Sequence, residues 1–294
     1  MKQLVVKEIP VDLSSKHPSV PNEILPNHEF TMGLIAPKGA GKTTLICNLL
    51  NYYKGYFHNI IVFSPTVKND EKWDWVKKQP LLGDNAKLRR WFKAKSKREE
   101  GIVDKPNHKD ELADKYCKRR TTEGGKLDLT IPEECFIHDY DSSTLLNMVA
   151  EQQELIDLLK EEGETKHIAN RLLFLFDDLV GSSLFGNERK NPFKILNTTH
   201  RHLSCSIIMV SQAYMEIPKT VRTQYSCLIL FEIYNDQEIA AIVKEYPMAM
   251  SANQWMEAYR YCTRDPHSFM FYNIQKPKAL RVMKNFSEIL MFKE

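Results

Sequence analysis

No run of 18 or more apolar residues occurs in this chain, so no transmembrane helix is expected. Its first residues, MKQLVVKEIPVDLSSKHPSVPNE, lack a sustained apolar segment and a small-residue cleavage site, which argues against secretion. None of the six cysteines, at 47, 117, 135, 205, 227 and 262, forms a C-x-x-C pair. Cys47, Cys205 and Cys227 sit in apolar runs and read as buried free thiols of a reducing compartment. His200 and His202 have no cysteine or carboxylate at ligand spacing, so the pair does not indicate a metal site. No N-K-x-D guanine-reading motif is present, which disfavours a GTPase. There is no internal repeat.

What remains is the composition of a globular protein. The 294 residues are 43% apolar and 27% charged, enough to bury a large core. Length alone suggests about two domains. The net charge of +3 hides an uneven distribution. Residues 67–130 hold 18 Lys+Arg against 12 Asp+Glu, and the rest of the chain is net acidic. We read residues 1–29 as an N-terminal arm punctuated by Pro, Ser and Asn. Residues 30–294 read as one domain, interrupted at about 67–130 by a basic, charged insertion.

Strands are expected at 30–35, at NIIVFS (59–64), at CFIHDY (135–140), at RLLFLFDDLV (171–180), at CSIIMVSQ (205–212) and at SCLILFEI (226–233). Helical spacing follows at 43–53, in LLNMVAEQQELIDLLKEE with Asp141 or Ser142 as cap, in FKILNTTHRHL and in DQEIAAIVKEY. SFMFYNI and ALRVMK read as a C-terminal hairpin. Within the insertion, WDWVKKQPLL and KLRRWFKAKSKREE read as short helices. GIVDKPNHKDELADKYCKRRTTEGGK reads as loop or marginal helix. Apolar strands alternating with helices argue an α/β fold, with a mostly parallel central sheet covered on both faces. Ligands of such sheets lie beyond the carboxyl ends of the strands.

The chemistry-bearing motifs fall at those ends. APKGAGKT, Ala36 to Thr43, follows the phosphate-loop pattern with Ala in place of the first Gly. Gly39 and Gly41 let backbone N–H groups turn onto phosphates, and the following helix adds its dipole. We assign Ala36, Pro37, Lys38, Gly39, Ala40, Gly41, Lys42, Thr43 and Thr44 to nucleotide binding. Lys42 would reach the β- and γ-phosphates and Thr43 would ligate Mg²⁺. Asp177 and Asp178 end an apolar strand, which is costly unless a cation or donor meets them. Alternation along the strand predicts different roles: Asp177 for Mg²⁺, Asp178 for the attacking water. Gln212 would sense the γ-phosphate or the water. Arg201 and Arg222 are the two candidates for an arginine delivered to a neighbouring subunit's nucleotide.

With these residues in hand, the chain resembles viral genome-packaging ATPases of the poxvirus-type branch of the FtsK–HerA superfamily. APKGAGKT, CFIHDYDSSTLLNMVAEQQELI, LLFLFDDL and RHLSCSIIMVSQAYMEIPKTVRTQ carry the resemblance, which covers most of residues 30–66 and 131–275. It implies an ASCE-type P-loop NTPase fold of RecA/FtsK kind, in three layers. The ATPase would assemble into a hexameric or pentameric ring and drive double-stranded DNA into a preformed capsid. Implied cofactors are ATP and Mg²⁺. Implied partners are double-stranded DNA, further copies of the chain, and a capsid or portal-vertex protein. The implied location is the host-cell virus factory or the virion. Lys42, Thr43, Asp177, Asp178 and Gln212 match catalytic or sensing positions. The wider class places Glu after the strand-end Asp; Asp178 stands there as in the poxvirus-type branch. The insertion has no counterpart in the resemblance.

A motor must pass any sequence, so its grip is expected on phosphates. Arg189, Lys190 and Lys194 are candidates, as are Arg89, Arg90, Lys93, Lys95, Lys97 and Arg98, with Trp91 among them. The competing functions are a DNA helicase or conjugation-type pump of the same superfamily, a nucleotide or nucleoside kinase, and a non-catalytic assembly protein.

Overall fold

Strand β1 (Thr31–Ile35) is buried along its whole length, with a parallel neighbour on either side. The structure is a computed structural model. It describes residues 17–99, 116, 120–179, 181–186, 191–246 and 250–291. Beside β1 lie β2 (Asn59–Phe63), β3 (Phe136–Ile137), β4 (Leu172–Asp177), β5 (Cys205–Ser211) and β6 (Cys227–Leu230). Then follow β7 (Met270–Asn273), β8 (Val282–Lys284) and β9 (Glu288–Ile289). The nine form one sheet in the order β3-β2-β4-β5-β1-β6-β7-β8-β9. The first six are parallel, and β7 to β9 extend the sheet antiparallel.

The apolar strands belong to a sheet buried on both faces. Phe174 and Phe176 of β4 join one core with Ile207 and Met209 of β5. Leu173 and Leu175 join the opposite core with Ile208 and Val210. Successive side chains point to opposite faces, so each strand supplies both cores. Helix α1 (Lys42–Tyr52) packs on the second face through Leu45, Ile46, Leu49 and Leu50.

In the insertion, α2 (Glu71–Lys77) and α3 (Ala86–Glu99) are helical, as their patterns predict. Asp70 caps α2 by accepting from Lys72 N–H. Leu88 and Phe92 of α3 form a small third core with Leu155, Ile156 and Leu159 of α4 (Ser142–Glu161). Most of GIVDKPNHKDELADKYCKRRTTEGGK lies outside the described residues. Helices α5 (Pro192–Thr199), α6 (Lys219–Arg222) and α7 (Asp236–Glu245) complete the parallel part. Helix α8 (Ala252–Thr263) is absent from the sequence reading. It opens with a Ser251–Gln254 capping box and buries Trp255, Tyr259 and Cys262. Of residues 17–29, Leu25 is buried, and the Pro26 carbonyl accepts from Tyr53 OH at 2.9 Å.

Gly33 carries a packing constraint invisible in the motif. A Cβ there would meet Tyr225 Cε2 at 2.5 Å, inside the core. Gly33→Ala is expected to lower stability by about 1–3 kcal/mol, as overpacking does, read as a lowered urea midpoint.

Candidate nucleotide and catalytic site

The P-loop begins without a break from β1. Ala36 is buried, its N–H donates to the Ser211 carbonyl at 3.1 Å, and its φ is not positive. An ordinary conformation explains why Ala replaces glycine there. The turn comes later, at Gly39 (φ 82°) and Gly41 (φ 100°), both left-handed. Gly41 is the N-cap of α1. No side chain caps that end, and no acidic residue occupies the first turn. The amino end of an eleven-residue helix is therefore open to an anion.

Lys42 opens this helix, half-buried. Burial lowers its pKa, and the nearby Asp178 and Asp177 carboxylates oppose that shift. Lys42, which follows β1, and the aspartates, which end β4, stand at the same edge of the parallel sheet. Thr43 is half-buried beside it, and Thr44 is exposed.

Asp177 ends β4, only 4% exposed, and accepts from Ser64 Oγ at 2.9 Å. Burial pushes its carboxyl up to about 6; the Ser64 hydrogen bond opposes this and the charge of Asp178 adds to it. Asp178 is set apart by a different device from strand alternation. It has left the strand at φ 52°, a conformation Asp tolerates better than most residues. Its two carboxylate oxygens take the Gln212 amide at 3.0 and 2.8 Å. This pairing depends on topology. β5 lies between β1 and β4, so the residue after β5 stands between the P-loop and the aspartates.

Sequence reasoning missed the other wall. A cavity of about 420 Å³ lies on the β6 side of the P-loop. It is lined by Pro37 to Ala40, by Phe231, Glu232 and Tyr234, and by Thr263 to Ser268. Tyr234 is 78% exposed. His267, at φ 61°, places Nδ1 3.1 Å from the Ala40 carbonyl and so contacts the P-loop backbone. These residues lie more than 180 positions after the loop, and no short motif marks them.

The two arginines differ sharply. Arg201 is exposed in the turn before β5, at the opposite end of the sheet from the P-loop. A seven-residue strand separates those ends by roughly 23 Å, so Arg201 lies far from its own chain's P-loop. Arg222 is 9% exposed. Its Nε and Nη2 donate to the Glu245 carboxylate, both at 2.9 Å, and Nη1 donates to the Ile217 carbonyl at 2.8 Å. The guanidinium also lies over the Tyr214 ring at 4.9 Å. It is neutralised within its own chain.

The basic candidates are also partly engaged. Arg89 pairs with Asp84 and Lys95 with Glu162, while Arg90 Nε donates to the Ala86 carbonyl at 3.2 Å. Lys93 is exposed and Lys194 half-buried. Arg189 and Lys190, and the side chains of Lys97 and Arg98, lie outside the described residues. His200 places one ring nitrogen at the Asn197 carbonyl and the other at the Glu29 carbonyl.

A mostly parallel α/β sheet with β5 between the P-loop strand and the aspartate strand is the fold of a P-loop NTPase. Residues 137–264, a little under half of the chain, match the family model described as Poxvirus A32 protein. That stretch contains Asp177, Asp178, Gln212 and both arginines; the P-loop precedes it. Among solved structures, the chain is similar to the genome packaging NTPase B204 from Sulfolobus turreted icosahedral virus 2. In the form with AMP the TM-score is 0.50 at 14% identity, over 90% of this chain and 100% of that one. The form with ATP-gammaS gives 0.48 at 12%, over 90% and 100%. VirB4 of Thermoanaerobacter pseudethanolicus gives 0.40 at 11%, over 90% and 89%. No curated protein matches the sequence.

The Arg222–Glu245 pair makes a stability prediction. Removing one partner of a buried pair strands the other, so Arg222→Met is expected to cost about 3–5 kcal/mol. Hydrogen bonds from Arg222 hold the Glu245 carboxyl below its usual value, against its burial. The contribution is therefore complete above the ordinary glutamate range. It is lost as pH falls through the lowered value. Urea midpoints against pH for wild type and variant should converge in acid.

Proposed function

We propose that this chain is an ATP-driven motor that moves double-stranded viral DNA into a preformed capsid. The observation that carries the reading is one constellation at the carboxyl edge of the sheet. Lys42 stands at the same edge as Asp177 and Asp178, close enough to feel both charges, and Gln212 grips Asp178. Three of these residues fall inside the segment matching the poxvirus A32 protein. The described relative B204 is a genome packaging NTPase, which supports packaging as the use of the hydrolysis.

Each residue then has a task. The open amino end of α1 and Lys42 hold the phosphates and offset their charge. Asp178, kept in place by the Gln212 amide, accepts the proton of the attacking water. The cavity beside Pro37 to Ala40 takes base and ribose, with Tyr234 positioned at its wall to stack on the base. The donor set suits Mg²⁺. Among the described residues no group of three or more His, Cys, Asp and Glu could hold a metal alone. Mg²⁺ characteristically takes one or two protein ligands beside phosphate oxygens and waters. Thr43 and the buried Asp177 would be those ligands. When bound, the ion neutralises phosphate charge.

Arg201 is the arginine offered to a neighbouring copy in a ring, because it is exposed and remote from its own P-loop while Arg222 is internally paired. DNA is gripped through its phosphates, and exposed Lys93 is a candidate contact. The motor would act in the virus factory against a capsid or portal-vertex protein.

Steady-state ATP hydrolysis with and without long double-stranded DNA, at low salt, tests this reading. DNA should raise the rate several-fold and Lys42→Ala should abolish it. A rate indifferent to DNA at high protein concentration would sink the motor. Arg201→Ala should lower kcat by about 10³ while nucleotide still binds, as loss of a trans-acting arginine does.

A further inference from the structure

The insertion after β2 looks remote from the chemistry, yet its first helix is joined to the site by side-chain hydrogen bonds. Trp73 is fully buried in α2. Its indole Nε1 lies 3.1 Å from Thr66 Oγ1. Thr66 Oγ1 lies 3.0 Å from Ser64 Oγ, just past β2. Ser64 Oγ donates to Asp177 Oδ2 at 2.9 Å.

Chemistry orients every link. An ionised carboxylate only accepts, so the single Ser64 hydroxyl proton goes to Asp177. Thr66 must then donate its own proton to Ser64. An indole N–H only donates, so the Thr66 oxygen receives it. Three donors in series point at one carboxylate, and hydrogen bonds so arranged polarise one another.

Helix α2 is also held at both sides of the site. The Cys47 thiol of α1 lies 3.9 Å from the Lys72 carbonyl. Lys77 Nζ donates to Glu133, just before β3, at 2.9 Å. The Trp73 ring meets Phe136 of β3 edge-on, with centroids 6.3 Å apart. The helix that carries Lys42 and Thr43 and the strand that carries Asp177 are thus both tied to α2.

We infer that Ser64, Thr66 and Trp73 form a positioning relay that orients the Asp177 carboxylate for Mg²⁺ and makes that orientation depend on the seating of α2. The inference rests on the ATPase reading above. It gives the start of the basic insertion a role: what displaces α2 loosens the metal-side ligand.

The test uses the full chain and a non-hydrolysable ATP analogue titrated with Mg²⁺, read by calorimetry beside ATP turnover. Thr66→Val removes the hydroxyl at nearly constant volume. It should weaken the Mg²⁺ response about fivefold, the equivalent of one ordinary hydrogen bond. Thr66→Ser should restore it, which a purely packing role would not allow. Trp73→Phe should shift the response in the same direction. The double variant should shift no further than Thr66→Val alone, because both interrupt one series. Thermal midpoints of the two Thr66 variants separate a positioning effect from unfolding.

A Thr66→Val response equal to wild type overturns the relay, as do multiplying shifts in the double variant. Should wild type bind Mg²⁺ and analogue but not hydrolyse ATP, the ATPase reading fails. The same titrations still decide the relay.

Discussion

The structure depends on one act of strand pairing: β5 is hydrogen-bonded between β1 and β4. Ile35 lies beside Ser211, and Asp177 beside Val210. Those registers bring the P-loop, Gln212 and the two aspartates to the same edge of a parallel sheet. A one-residue slip would turn each strand's inward side chains to the opposite face. Burial on both faces prevents it, because Phe174, Phe176, Ile207 and Met209 fill one core while Leu173, Leu175, Ile208 and Val210 fill the other. The apolar run that reads as a strand is therefore also what aims the polar residues at its end.

The site separates two carboxylates that are neighbours in sequence. Asp177 is held within the sheet by Ser64, nearly out of contact with water. Asp178 turns away in a left-handed conformation and is met by Gln212. Different tasks were expected for the pair from strand alternation. Their different surroundings arise instead from the end of the strand at Asp177, after which alternation no longer applies. Burial and different hydrogen-bond partners then give each carboxylate its own environment.

The basic insertion illustrates how charge in sequence and charge at a surface diverge. Counting Lys and Arg singles out residues 67–130, yet Arg89 and Lys95 pair with acidic side chains, and Leu88 and Phe92 bury against α4. Much of the segment's described part packs and pairs within the fold. Trp73 shows this most clearly, since one side chain both fills the core and donates toward the site.

The sequence by itself determined the fold class, the P-loop and the paired aspartates. These are local signals: APKGAGKT lies between a strand pattern and a helix pattern, and a buried run ends in two carboxylates. The central strands and most helices were legible for the same reason, because periodicity and capping act over a few residues. Tertiary structure alone decided what depends on distant partners. It paired Arg222 with Glu245 and left Arg201 exposed, although both look alike in sequence. It brought His267 and Tyr234 to the P-loop across more than 180 residues, and it placed α8, a helix that the periodic reading had missed. Contacts of that kind are set by the order of strands in the sheet, and no spacing along the chain encodes them.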